Sequence, residues 1–276
     1  MSLKKWCKAK IEADMEQEPT KVHKKKAMTS EKASVVKKAG HANEDEFAAL
    51  IGGEVVPGRG KTDVVKNGNN FSLKKVCKRI QFALYSRNSK CWTESSPSAM
   101  ICKDILTIYP ELYEEYKGNK AHYKSLLQNK MVAFKDHLSD PANLREYLSL
   151  VFTNSEEVDF IVMKDGTNQH VFKAMEAIDT IVKVANVVNS KARKAGDTAE
   201  QKVLVTIPKG KGYKNLLELE IRNSSAGHYA EFLCVCNRDS LFELLTSSIS
   251  EEAVFKNNII VRGQAIQDFE KNILSS

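Results

Sequence analysis

Glu44 in Gly40-His41-Ala42-Asn43-Glu44, Asp63 in Thr62-Asp63-Val64-Val65 and Lys74 in Ser72-Leu73-Lys74 are the residues of this sequence whose types and spacing suit chemistry on a phosphodiester. Hydrolysing that bond needs a water in line with phosphorus, neutralisation of the charge building there, and help for the leaving oxygen. Carboxylates holding Mg²⁺ meet the second need, and the bound cation acidifies water for the first. Asp63 is the best candidate ligand, because a carboxylate on a short apolar strand is costly to half-bury without a partner. Glu44 is a second ligand, directly or through water. Lys74 suits positioning the attacking water and stabilising developing negative charge.

Those roles require one helix and two strands. From Asn43 onward Phe47, Leu50 and Ile51 recur at helical spacing and Gly52-Gly53 supplies a stop; Glu44, three residues before Phe47 and seven before Ile51, shares the core-facing stripe of a helix. A Pro57-Gly58 turn, a strand around Thr62 to Val65, the turn Lys66-Asn67-Gly68-Asn69 and a strand Asn70 to Lys74 then read as a hairpin. The period of two puts Ser72 and Lys74 on one face of that second strand and Phe71 and Leu73 on the other. Further on, the pattern predicts a helix over Lys75 to Arg87, mostly helix over 98–150, a strand from Val158 to Met163 and a long helix from Phe172 to Lys194. Strands over Val203 to Ile207, Leu216 to Arg222 and Ala230 to Cys236 follow, then helices around Leu241 to Ser248 and Gln264 to Ile273.

Positive charge gathers around the candidate residues. Residues 1–40 carry 11 Lys against 5 acids, giving +6, and residues 51–90 carry 9 Lys/Arg against 2 acids, giving +7; with a whole-chain charge of +7 the remainder is −6. Such clustering suits a polyanion such as DNA. The six cysteines form no Cys-x-x-Cys pair, which argues against zinc or redox chemistry. No apolar run approaches the roughly 20 residues of a membrane span, and the N-terminus lacks the apolar run of a secretory signal, so a cytoplasmic protein with no membrane partner is expected. Gly58-Arg59-Gly60-Lys61-Thr62 lacks the leading glycine of a phosphate-binding loop, since position 55 is Val55, so no nucleotide cofactor is expected.

The order of a glutamate on a helix, an aspartate on one strand and a lysine shortly after on the next resembles the PD-(D/E)xK nuclease superfamily, which includes most type II restriction endonucleases, Holliday-junction resolvases and recombination exonucleases. The resemblance covers about residues 40–87. It implies an α/β fold with a restriction-endonuclease-like core, a mixed central sheet flanked by helices, here with a basic helical N-terminal arm over 1–39 and a nuclease domain over 40–276 carrying a helical insertion around 98–150. It also implies Mg²⁺ held by Asp63, Glu44 and the Leu73 carbonyl, with Lys74 catalytic. Ser72 occupies the place of the family's second acid. Either Glu44 supplies the missing charge or metal binding is weakened. Gln81 and Tyr85 match the Gln-x-x-x-Tyr element of the RecB-like branch and, on the expected helix, would share a face beside the metal water and a phosphate or base.

The activity implied is Mg²⁺-dependent, sequence-specific double-strand cleavage of DNA by a homodimer of type II restriction-enzyme kind. A nuclease acting on ends or junctions in phage or bacterial recombination and repair is one alternative, and a nucleic-acid-binding protein without catalysis is another. Candidate DNA contacts are Arg59, Lys61, Lys78 and Arg79 near the site, Tyr85, and Lys209 and Lys211 in the glycine-flanked connection of two strands. Arg222, Asn223 and His228 join them, with internal pairing of Arg222 to a neighbouring Glu as the competing reading.

Overall fold

The computed structural model describes residues 30–276 apart from 59, 75–77, 90–95, 156, 257 and 274–276; for 30–40 and 272 only the backbone is described. The chain divides into two compact units, Met1–Ala39 and Gly40–Ser276. Of the first, only the helical backbone from residue 30 lies among the described residues.

The second unit is a mixed α/β structure with two sheets. The seven-stranded mixed sheet has the order β1 (Glu54–Val55), β2 (Val64–Lys66), β3 (Asn69–Lys74), β5 (Phe160–Asp165), β6 (Asn168–Lys173), β12 (Ile259–Arg262), β11 (Glu252–Phe255). The five-stranded antiparallel sheet has the order β4 (Arg79–Tyr85), β10 (Glu231–Asn237), β9 (Gly212–Arg222), β8 (Lys202–Lys209), β7 (Asn186–Asn189). Strands β1, β2 and β3 form an antiparallel meander, while β3 pairs with β5 in parallel. Between β3 and β5 the chain leaves the sheet, contributes β4 to the other, and returns through helices α2 (Pro97–Thr107), α3 (Tyr113–Gly118), α4 (Lys120–Leu138) and α5 (Pro141–Thr153).

Alternation along the mixed sheet divides its side chains between two cores. Phe71 and Leu73 on β3, Phe160 and Val162 on β5, Val171 on β6 and Ile259 and Val261 on β12 pack with Phe47 and Ile51 of α1 (Ser30–Ile51) and Phe269 of the last helix. Phe71 is the hub, stacked on Phe160 at 4.9 Å and set against Phe47 at 5.4 Å between ring centroids. Ile161, Met163 and Phe172 face the opposite way, into a larger core shared with the helices and the inner face of the five-stranded sheet.

Local signals explain the elements around the site. Helix α1 ends where Gly52 turns left-handed at φ +66° and the Gly53 N–H reaches the Ala48 carbonyl at 2.8 Å. A side chain on Gly53 would also strike the Val65 carbonyl, so glycine lets the helix end lie against β2. The β2–β3 turn is Asn67-Gly68 with φ of 50° and 77°, the paired positive angles of a type I′ hairpin.

Three sequence expectations are corrected. The segment expected as a helix from Lys75 to Arg87 contains strand β4, paired with β10. The register shifts between Cys234 and Val235, so that Ala83 and Gln81 face those two neighbours and Phe82 is the extra residue of a bulge. Phe82 and Ala83 are consequently both buried, which breaks the period of two and imitates a helical pattern. The long helix expected from Phe172 to Lys194 is instead the end of β6, helix α6 (Ala174–Val184) and strand β7. The closing helices are α7 (Arg238–Ser248) and α8 (Ala265–Asn272), with the unexpected hairpin β11–β12 between them. No helix among the described residues is long and apolar enough to cross a membrane.

Candidate active site

Asp63 stands immediately before β2, held in line with it by its own N–H donating to the Phe71 carbonyl at 2.8 Å and its carbonyl accepting from Val56 N–H at 2.9 Å. Its neighbour Val64 lies opposite Phe71 and packs into the same core, so Asp63 turns to the other face, where Ser72 and Lys74 also lie. The β2–β3 ladder runs from Lys66–Asn69 to Val64–Phe71. One step further, the Asp63 carboxylate replaces a ladder carbonyl, and its Oδ2 accepts from the Leu73 N–H at 2.6 Å.

The three side chains form a relay. Lys74 Nζ donates to Ser72 Oγ at 2.7 Å, and the Ser72 hydroxyl donates to Asp63 Oδ2 at 3.4 Å. Ser72 is fully buried. The Lys74 ammonium lies over the Phe82 ring, 5.1 Å from its centroid, with an aromatic face to offset lost hydration. The bulge in β4 is what places Phe82 there. Sequence reading missed this residue because it assigned the segment to a helix.

Burial sets the electrostatics. It pushes the Asp63 carboxyl above the usual aspartate range, against the pull of the Lys74 charge and the Leu73 N–H, and the Glu44 carboxylate pushes it higher still. Burial lowers the Lys74 ammonium below its ordinary value, with Asp63 pulling the other way. Glu44 is therefore near enough to act on Asp63, although it belongs to the helix packed against the opposite side of the sheet. Its side chain is 18% exposed and pairs with His41 Nδ1 at 3.0 Å, a partner one helical turn away that the i, i+3 spacing in the sequence could have signalled.

Which groups could hold a divalent cation follows from these donors. Oδ1 of Asp63 takes no hydrogen bond from a described residue, Glu44 offers a second carboxylate, and the Leu73 carbonyl points to the same strand edge as its N–H, toward Asp63. Among the described residues no three His, Cys, Asp or Glu side chains come together as a metal cluster. Two carboxylates and a carbonyl are all hard oxygen donors. They suit Mg²⁺, which binds through one or two carboxylates and keeps several waters.

The other expected site residues separate into groups. Gln81 is exposed on β4, and Tyr85 is directed at the Leu150 carbonyl at 3.3 Å, so the two do not share a helix face. Lys61 is turned inward: its ammonium donates to the carbonyls of Phe82 and Val151 and lies 5.8 Å from the Tyr85 ring centroid. A cation at the last turn of α5 is favoured by the helix dipole, and it ties the segment before Asp63 to β4. This replaces the expected phosphate contact. Lys78 is exposed, and Arg79 pairs with Glu218 at 3.0 Å.

Lys209 and Lys211 sit at the exposed tip of the β8–β9 hairpin, where Lys209 lies 3.9 Å from Glu243. Arg222 and His228 both approach Glu231, at 3.8 and 3.5 Å, and Asn223 Oδ1 accepts from Ala230 N–H at 2.8 Å. For Arg222 the internal-pairing reading is the one found. Arg59 lies outside the described residues.

Compared with protein-family models, curated proteins and solved structures, the chain matches none. The reading of the site therefore rests on its own geometry.

Proposed function

We propose that this chain is a Mg²⁺-dependent phosphodiester hydrolase acting on DNA, a nuclease of the type II restriction kind, with Asp63, Lys74 and Glu44 at its centre. The observation that carries the reading is the relay of Lys74, Ser72 and Asp63 on one sheet face, with one carboxylate oxygen fixed by the Leu73 N–H and the other left for a ligand. Asp63, Glu44 and the Leu73 carbonyl would hold the metal, which when bound supplies charge neutralisation and an acidified water.

The protein's own groups do the rest. The Leu73 N–H and Ser72 hydroxyl orient the Asp63 carboxylate. Lys74, anchored by Ser72 and resting on Phe82, holds its ammonium ready to steady a phosphate oxygen or the attacking water. Ser72, in place of a second acid, delivers this orientation without another negative charge beside Asp63, so Glu44 is assigned the missing charge. The basic run over 51–90 supports DNA as the substrate. A homodimer would be the form that cuts both strands.

The test is purified protein, Mg²⁺ and circular plasmid. Discrete fragments are expected, abolished by Asp63→Ala and by Lys74→Ala. Cleavage by both variants at the parental rate would remove the assignment. A mobility shift without cleavage would favour the second reading, a nucleic-acid binder without catalysis. That reading draws its support from the absence of a third carboxylate or other His, Cys, Asp or Glu ligand among the described residues. The alternative of an end- or junction-acting enzyme loses the Gln81–Tyr85 helix face that favoured it.

A further inference from the structure

Toward the edge of the mixed sheet opposite Asp63, a histidine and two arginines are buried together. His170 on β6 is 6% exposed, Arg262 at the end of β12 8% and Arg238 at the start of α7 6%, a depth at which such groups persist only with partners. Strand β12 runs parallel to β6 with Ile260 beside His170, so Arg262 lies one same-face step further along. All three of its guanidinium nitrogens are engaged. Nε donates to His170 Nδ1 at 3.3 Å, one terminal nitrogen donates to the Ile249 carbonyl at 3.3 Å, and the other pairs with Glu252 at 2.5 Å. One side chain thus ties β12 to β6, to β11 and to the end of α7.

An arginine only donates, so its bond to Nδ1 needs a lone pair there and fixes His170 as the neutral tautomer with its proton on Nε2. The surroundings favour that form. The Phe242 ring of α7 meets His170 edge to face with 4.8 Å between centroids, and the Arg238 guanidinium lies over the same ring at 4.9 Å. Arg238 donates to the Lys164 carbonyl and pairs with Asp239 at 3.3 Å, while its buried Nε has no partner among the described residues. Four charged groups face the imidazole: Arg262 from β12, Arg238 from α7, Asp165 from β5 and Glu252 from β11. The two acids favour a proton on His170, but Glu252 is committed to Arg262. Burial first and the Arg262 charge second outweigh them and hold the imidazole below the ordinary histidine range.

We propose that this corner is an acid-sensitive latch: neutral His170 accepts from Arg262 and holds the β11–β12 hairpin to β6 and α7, and a proton on Nδ1 breaks that bond, adds a third cation beside two guanidiniums and loosens the hairpin. On the hairpin's other face Ile259 and Val261 belong to an apolar core whose packing is indifferent to pH, so the loosening begins at the Arg262 end. The opened chain binds the proton more tightly than the closed one. His170 therefore contributes fully to closure above the ordinary histidine value, and that contribution is lost as pH falls from there through the lowered folded value. The latch is independent of any reaction at Asp63.

The experiment is amide hydrogen exchange of the full chain at about pH 7.5 and about pH 5, either side of the ordinary histidine range, corrected for intrinsic exchange. His170 and the exposed His122 are titrated alongside by NMR. On acidification, protection over residues 252–262 should fall by about 10-fold or more beyond any change in β8, β9 and β10, and His170 should titrate below His122. His170→Asn keeps a neutral acceptor near the Nδ1 position and should remove most of that extra loss. Arg262→Met should move the His170 titration up toward that of His122. Where a variant fails to fold, the two measurements on the parent decide. His170 titrating together with His122, exchange over 252–262 that follows the rest of the fold, or an extra loss that survives in His170→Asn would overturn the proposal.

Discussion

The two sheets handle charge in opposite ways. On the five-stranded sheet, charged groups are matched where water still reaches them: Arg79, Glu218, Lys202 and Glu220 form a chain of ion pairs across three strands. Burial alone would raise the Glu218 carboxyl, but Lys202 and Arg79 outweigh it and leave it below the ordinary range. At the corner of the mixed sheet the balance is reversed. Asp63 and Lys74 are linked through Ser72, yet desolvation wins for both, raising the acid and lowering the base. The first network is arranged to hold its charges comfortably; the second keeps charged groups where they are least stable. That second condition is the one the proposed nuclease centre would need, since groups that act on a ligand are often held in strained protonation states.

The contrast can be broken most decisively by activity. Lys74→Met and Asp63→Asn each should lower plasmid cleavage by about 10²–10³-fold or more, whereas Glu218→Gln should leave it within a factor of two or so by the same assay. Loss of cleavage in Glu218→Gln equal to that in Asp63→Asn would erase the distinction between the two networks.

Stability should sharpen it next. Either single change at the Asp63–Lys74 pair leaves a half-buried charge without its counter-ion and should cost about 1–3 kcal/mol, somewhat less than for a fully buried pair. The double variant Asp63→Asn/Lys74→Met should recover most of that loss in urea unfolding, because the desolvation of both charges is removed together. A double variant less stable than either single would mean that the pair is a stabilising feature.

The pH dependence follows from the same shifts. Between the ordinary aspartate value and the raised one, the folded chain binds more protons at Asp63 than the unfolded chain, so this group's contribution to stability falls as pH rises through that window. For Lys74 the unfolded chain binds more protons between the lowered value and the ordinary one, so its contribution rises with pH there. If cleavage needs the carboxylate and the ammonium, the pH profile of single-turnover cleavage should be a bell with both limbs moved inward from the ordinary Asp and Lys positions. Limbs at the ordinary positions would take the pair out of the reaction. The smallest effect belongs to the five-stranded sheet, where Glu218→Gln should cost about 0.5–1 kcal/mol in the same unfolding assay. Glu218 is depressed in the folded state, so its contribution is present above the ordinary glutamate value and is lost as pH falls through the folded one.

The parts of this arrangement legible in the sequence are those fixed by neighbours in the chain. Asn67-Gly68 announced a hairpin, and alternation over Phe71 to Lys74 assigned each side chain to its face, as the relay and the two cores bear out. The strands β8, β9 and β10 and the helices over 98–150 carried strong periodic patterns of their own. Distant pairing hid the rest. Strand β4 takes its form from β10, some 150 residues away in the chain, and the bulge at Phe82 removes the alternation by which it could be recognised. Strands β11 and β12 span four residues each, too few to show a period, and β12 is held by its parallel contact with β6. The inward turn of Lys61 likewise depends on two carbonyls, 21 and 90 residues further along, that no local pattern announces.

The two-residue bend at Asn67-Gly68 has authority over chemistry it never touches. Adding one residue there while β2 and β5 keep their places would advance the following strand by a single step. Ser72 and Lys74 would then swing into the phenylalanine-filled side, and Phe71 and Leu73 would be left facing the carboxylate. The tightness of that bend is therefore as much a requirement for the link from Lys74 through Ser72 to Asp63 as the lysine itself.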